Sequence, residues 1–194
     1  MPDLRAKAAL VLLPAVLVAG CSSAASEWPS GVASSLGAGG SAGSSDPDTD
    51  PAQGGIPDGR DLTPFDTDFP AVANLDPNLL KAVQQAATDA RGRGIVFKVT
   101  SGWRSKAYQQ RLLDEGIKKY GSLEDARQYV NTPEKSAHVT GKAVDIGPTD
   151  ADDWLIRHGD GYGLCQAYAN ELWHFELLTT PGGRCPAPIP NAAG

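Results

Sequence analysis

From Ser22 to about Arg60 the chain is composed almost entirely of Ser, Gly, Ala, Pro and Asp, with isolated apolar residues at no regular spacing. A stretch of that kind cannot bury a core. Whatever folds must therefore come from residues 61–194, the size of one ordinary domain, and a second domain does not fit into the 194-residue chain. The chain is 41% hydrophobic, which is enough for that one domain. Its formal net charge is -6 and its 17 Lys and Arg residues are scattered. No basic face exists to track phosphates, so nucleic acid is not expected as a partner.

The residues ahead of the Ser/Gly-rich stretch read as an export signal. Arg5 and Lys7 form a short basic region, and the apolar run from Ala8 to Ala19 is too short to span a bilayer comfortably. It ends in Val18-Ala19-Gly20-Cys21, which is similar to the bacterial lipobox. That similarity implies cleavage before Cys21 and acylation of its thiol. The expected organisation is a signal peptide with lipobox over 1–20, a lipidated cysteine and flexible tether over 21–60, and a folded domain over 61–194. The tether has a reach of roughly 35 Å. The location implied is the outer face of the cytoplasmic membrane. With Cys21 anchored, Cys165 and Cys185 are the other thiols, and an oxidising exterior permits them to pair. Such a bridge stabilises by ~3 kcal/mol on the chain-entropy model. Neither sits in a C-x-x-C pair, so neither is read as a metal ligand.

Helical periodicity begins at Asp76-Pro77, an N-cap followed by proline at the first helical position. Leu79, Leu80, Val83, Ala87 and Ala90 then share one face, and Gly92 and Gly94 end the helix. The β-rich run from Ile95 to Thr100 follows and delivers Ser101-Gly102-Trp103-Arg104. Ser105 caps a second predicted helix that closes near Gly121, and Ser122 caps a third reaching Val130. Beyond Pro133 the pattern predicts a strand over 142–146, a short helix over 152–158 and a strand over 172–178. Helices precede strands instead of alternating with them. This predicts an α+β domain with a small, mostly antiparallel sheet and helices packed on one side.

Two segments carry the polar chemistry: Ser136-Ala-His138-Val-Thr-Gly141-Lys-Ala143-Val-Asp145 and Glu171-Leu-Trp-His174. A catalytic zinc site needs three N/O ligands, an open position and a base beside it. His138, Asp145 and His174 supply that ligand set. On one straight strand His138 and Asp145, seven apart, would point to opposite faces. A turn must intervene, and Gly141 can supply a positive φ. After the turn Ala143 and Asp145 share the site face while Val144 and Ile146 face the core. In the final strand His174 and Glu176 alternate with Trp173, Phe175 and Leu177. Glu171 can join the site only from a bend at the strand entrance. Either segment alone reads more readily as a hydrogen-bonded structural histidine and a turn-capping aspartate; both in one exported domain favour a metal.

The pattern Ser136-x-His138-x-x-Gly141-x-Ala143-x-Asp145 with Glu171-x-x-His174 resembles the signature of the zinc D-alanyl-D-alanine carboxypeptidases and dipeptidases of the vancomycin-resistance type, within the lysostaphin-like and hedgehog-like metal folds. Ser101-Gly102-Trp103-Arg104-Ser105 is similar to that family's arginine segment. The resemblance covers roughly Leu75 to Leu178. It implies one zinc ion held by His138, Asp145 and His174, with Glu171 as general base. It implies Arg104 as the stabiliser of the tetrahedral oxyanion or a substrate holder, and Ser136 and Gln109 as substrate contacts. The activity implied is removal of the terminal D-alanine from peptidoglycan stem peptides; a monomer is expected. An L,D-carboxypeptidase or endopeptidase would use the same groups. A peptidoglycan-binding lipoprotein without catalysis would need neither Glu171 nor Arg104.

Overall fold

The five residues Ala143–Gly147 are all buried and form the strand on which the rest of the domain is assembled. A computed structural model describes residues 49–194. The export signal, Cys21 and most of the tether lie outside the described residues. In chain order the elements are α1 (Pro70–Ala73), α2 (Pro77–Arg91), β1 (Lys98–Ser101), α3 (Lys106–Tyr120), α4 (Leu123–Ala126), β2 (Ala143–Gly147), α5 (Thr149–His158), β3 (Leu164–Gln166) and β4 (His174–Leu177). The four strands make one antiparallel sheet in the order β1-β2-β4-β3, so this is the expected α+β architecture.

Strand alternation divides the sheet's two faces. Val144, Ile146 and Phe175 enter the apolar core, against Leu79, Val83 and Ala86 of α2 and Trp154 and Leu155 of α5. Phe97 meets the Trp154 ring edge-on at 5.7 Å between centroids. Asp145 and His174 are register partners across β2 and β4, and Ser101 of β1 lies opposite Asp145 from the other side. The polar side chains therefore gather where three strands meet. Helix α3, paired with α4, borders this other face and contributes Gln109 and Leu112 to a cavity there.

The helices start where their caps place them. The Asp76 carboxylate accepts hydrogen bonds from the amides of Asn78 and Leu79, with Pro77 at the first position of α2. Ser105 caps α3 through the amide of Tyr108, and Gly121 ends it at φ +89°. Several boundaries differ from the predicted ones. Helix α4 stops at Ala126 instead of reaching Val130, and α5 begins at Thr149, earlier than Asp152. Regular pairing in the first strand starts only at Lys98, and in the last only at His174. Helix α1 and strand β3, of four and three residues, are too short to leave a periodic signal.

Residues ahead of 61 also take part in the domain. The Ser105 amide donates to the Gln53 carbonyl at 2.9 Å, and Gly54 packs so closely on the Trp103 carbonyl that a Cβ would overlap it. These are backbone contacts, invisible to an argument from apolar spacing. Cys165 and Cys185 form a disulfide. Among the described residues no helix is long and apolar enough to cross a membrane.

Gly141 adopts φ +68°, and a Cβ there would run into the Asn74 carbonyl oxygen. Its own carbonyl accepts the Asp76 amide at 2.8 Å, locking the turn to the start of α2. Gly141→Ala combines left-handed strain with this overlap, so it is expected to destabilise the domain by about 2 kcal/mol or more. Urea denaturation monitored by tryptophan fluorescence measures this; a loss under about 0.5 kcal/mol would contradict the close approach.

Candidate metal centre

His138 sits in a single 3₁₀ turn, Ala137–Thr140, that Gly141 closes before the chain enters β2. The turn predicted between His138 and Asp145 is thus present, and it brings both side chains to the same place. The His138 Nδ1 lies 2.8 Å from the Gly102 carbonyl oxygen. A carbonyl can only accept, so Nδ1 carries the proton and the neutral ring turns the Nε2 lone pair inward. Gly102 is required for this approach, because a Cβ at that position would overlap the Ala71 carbonyl.

His174 is held in the same way from the other side. Its Nε2 lies 3.0 Å from Glu176 Oε1, two residues along the same face of β4, so Nε2 keeps its proton and Nδ1 is the nitrogen left to ligate, pointing inward. The third inward group is Asp145 Oδ1. The three donor atoms are 3.2 Å apart between His138 Nε2 and His174 Nδ1, 3.1 Å between His174 Nδ1 and Asp145 Oδ1, and 3.4 Å between His138 Nε2 and Asp145 Oδ1. A tetrahedral zinc with bonds of about 2.0–2.1 Å separates its ligands by about 3.3 Å. Three lone pairs converging at that spacing fit a divalent cation. Among the described residues this is the one cluster of three His, Cys, Asp or Glu donors within reach of a single ion. Asp150, Asp152 and Asp153 form no second one; Asp150 and Asp152 fall in the first turn of α5.

The electrostatics follow from burial and from these contacts. Burial, then the Arg104 cation, presses His138 below its ordinary pKa, against the pull of Asp145. Burial also disfavours the charged form of His174, but its hydrogen bonds to Asp145 and Glu176 outweigh that and push it up to about 9, so without a cation Nδ1 also carries a proton, which ligation would displace. For Asp145 burial pushes the pKa up, yet His138 and His174 more than offset it and hold the carboxyl well below the usual carboxylate range. Asp145 divides its two oxygens: Oδ1 faces the imidazoles and Oδ2 accepts from Arg104 Nη2 at 3.0 Å.

Glu171 lies in the bend before β4, as the sequence requires, with Oε2 3.8 Å from His174 Nδ1. Its Oε1 is buried without a hydrogen-bond partner. Burial above all, with Asp145 adding to it, raises its pKa to about 7, while His174 and Arg104 pull the other way. A carboxyl poised near neutrality beside an open cluster is suited to taking up and returning a proton. Arg104 donates from Nε to Ser101 Oγ at 2.8 Å and from Nη1 to Gln109 Oε1 at 3.1 Å, besides its bond to Asp145. Gln109 is fixed in turn by donating from Nε2 to the Asn131 carbonyl at 2.8 Å.

These groups line a cavity of about 250 Å³ that also takes in Ser136, buried at the head of the His138 turn. All seven candidate residues of the reaction site therefore come together. Eight further residues line the cavity, among them Asn131, Tyr168, Trp173 and Ala192, which carry no sequence signal as site residues. The Tyr168 ring lies 4.8 Å from that of His174. Trp173, expected on the apolar face by alternation, sits in the bend before β4 and is half exposed in the cavity wall. Glu176 shares the face of His174, as alternation predicts, and its carboxylate meets that ring.

Three donors with one open side, beside a carboxyl group held near neutrality, define a candidate metal centre with an acid-base group at its edge. The chain belongs to the VanY D-alanyl-D-alanine carboxypeptidase family, whose model matches residues 72–179, more than half of its length. A D-alanyl-D-alanine carboxypeptidase of Enterococcus faecalis is 24% identical over 142 residues, covering 59% of this chain and 53% of the relative. The chain thus spans about half the length of that relative. Among solved structures, a point mutant of the vancomycin-resistance D,D-pentapeptidase VanY, from a VanB-type cassette and in complex with Zn(II), is 25% identical at a TM-score of 0.51. The match covers 54% of this chain and 73% of that one. The vancomycin-resistance D,D-dipeptidase VanXYg, in complex with a D-Ala-D-Ala phosphinate analogue, is 28% identical at a TM-score of 0.50, over 62% of this chain and 56% of that one.

Proposed function

We propose that this chain is a zinc-dependent D,D-carboxypeptidase that removes the terminal D-alanine from peptidoglycan stem peptides, tethered by an acylated Cys21 to the outer face of the cytoplasmic membrane. The observation that carries the reading is the convergence of the His138, Asp145 and His174 lone pairs beside the unpartnered Glu171 Oε1. The Zn(II) complex of the related pentapeptidase and the D-Ala-D-Ala analogue in the related dipeptidase support the choice of metal and substrate.

His138 Nε2, Asp145 Oδ1 and His174 Nδ1 would hold the zinc. When bound, zinc supplies a Lewis acid that lowers the pKa of water toward ~7 and polarises a carbonyl. Glu171 accepts the proton of the attacking water and returns it to the departing D-alanine amine, the transfer for which a pKa near neutrality is best placed. Arg104 has five N–H donors, and its three bonds to Ser101, Gln109 and Asp145 leave two. These would be available to the oxygen that gains charge as the peptide carbon becomes tetrahedral. Ser136 and Gln109 orient the peptide backbone. Glu176 and Gly102 keep both imidazoles in the tautomers that ligation needs.

The test is to incubate zinc-loaded protein spanning 22–194 with pentapeptide and tetrapeptide stems and identify the released amino acid by chiral chromatography. D-Alanine from the pentapeptide alone is the expected result; release from the tetrapeptide alone would make the enzyme an L,D-carboxypeptidase. The pH profile carries a further expectation. Glu171 works as a base only when ionised, so kcat/KM rises with pH along an acidic limb. A bound cation favours the carboxylate, so that limb lies below the value of about 7 that burial sets for the metal-free carboxyl. Carbon-13 NMR of the metal-free protein should show Glu171 titrating near 7, and Glu171 ionising at an ordinary pH of about 4 would contradict the assignment.

A further inference from the structure

The family match ends at residue 179, and residues 180–194 lie beyond it. In the structure this extension folds back onto the domain at two points. Cys185 is joined to Cys165 of β3 by the disulfide. Four residues on, the Ile189 amide donates to the Ala167 carbonyl at 3.0 Å and the Ala169 amide donates to the Ile189 carbonyl at 2.8 Å, a parallel bridge opposite Tyr168. Between and after these anchors the sequence reads Cys185-Pro186-Ala187-Pro188-Ile189-Pro190. Three prolines at alternate positions fix φ and favour a stiff, extended backbone, so little conformational entropy is lost in holding it. The strap ends in a turn, where the Ala193 amide donates to Asn191 Oδ1 at 2.9 Å, and Ala192 forms part of the cavity wall.

The side of the cavity on which it lies follows from the chain. Ile189 bridges the loop that runs from Ala167 through Tyr168 and Glu171 to Trp173, the same loop that carries the proposed proton donor to the departing amine. Arg104, Gln109 and Ser136 come from other elements. With about 250 Å³, the cavity is of a size to accommodate the end of one peptide.

We propose that the strap 186–192, which reaches the cavity through Ala192, acts as a substrate-selecting wall on the leaving-group side of the cleft: it admits the free C-terminus of a single stem peptide and excludes a stem whose chain continues into a cross-link. The inference rests on the carboxypeptidase reading above, because it identifies the leaving-group side by Glu171.

The test compares binding of a linear pentapeptide stem and of a cross-linked stem dimer by calorimetry, using zinc-loaded Glu171→Gln protein so that neither is consumed. Into this background go a truncation after Pro186, which keeps the disulfide, and separately Ile189→Pro, which removes one bridging N–H. Thermal melting verifies that each variant is folded. Both changes are expected to tighten the cross-linked dimer by roughly tenfold while leaving the linear stem within roughly threefold, and Ala192→Trp is expected to weaken even the linear stem. An unchanged ratio of the two affinities in both strap variants overturns the wall. Failure of the intact chain to bind either peptide overturns the carboxypeptidase reading and the wall with it.

Discussion

Glu171→Ala is expected to reduce D-alanine release by roughly 10²- to 10⁴-fold while the protein still takes up one zinc per chain. The separation of the two effects is what makes the experiment informative. Glu171 Oε2 stands 3.8 Å from His174 Nδ1, near the three donors and outside their triangle, and Oε1 has no partner at all. Removing the carboxyl therefore takes away the proposed proton carrier and leaves His138, Asp145 and His174 in place. It also removes a buried group whose ionisation burial disfavours, so the domain should not lose stability at neutral pH. The sign can be worked through. A folded-state pKa of about 7, above the ordinary carboxyl value, means that ionising Glu171 costs stability as pH rises, and the alanine variant escapes that cost. Elemental analysis, chiral chromatography and urea denaturation at pH 5 and pH 8 read out the three consequences. Wild-type turnover in this variant would assign the proton transfer to another group.

His138→Ala, by contrast, is expected to lose both zinc and turnover. With one of three donors gone, His174 Nδ1 and Asp145 Oδ1 remain 3.1 Å apart but offer only two of the bonds a tetrahedral ion needs from the protein. The fold should survive, because His138 sits on the opposite face of the sheet from the apolar core of Val144, Ile146 and Phe175. Zinc content well below one per chain, turnover below detection and retained near-ultraviolet circular dichroism are the expected results. Chelation of the unaltered protein should reproduce the loss of activity, and added zinc should reverse it. Full activity in the variant, or metal-independent activity in the chelated protein, would end the zinc reading.

Particular residues show how far sequence reasoning reaches. The turn at Gly141 was legible because His138 and Asp145 cannot share a face of one strand, and the positive φ found there is the required solution. The bend that carries Glu171 was legible for the same reason, and Asp76, Ser105 and Gly121 mark helix ends by local hydrogen-bonding chemistry alone. Strand β3 and helix α1 were not legible, since three or four residues hold no period, and their conformations come from neighbours far along the chain. Trp173 departs from alternation because it stands one residue before β4 begins, where the pleat no longer governs direction.

The ligand-type residues, their spacing around Gly141, and the division of β2 and β4 into a core face and a site face were determined by the sequence alone, because each depends on the 2.0 or 3.6 period of a local backbone or on the chemistry of a short motif. Tertiary structure decided what surrounds them. It directed Asp145 Oδ2 to Arg104, the Gly102 carbonyl to His138, Glu176 to His174, and Ala192, from beyond the family's span, into the cavity wall. Most of these contacts join residues tens of positions apart, and their energies depend on distance and burial. Neither quantity exists until the chain has closed on itself.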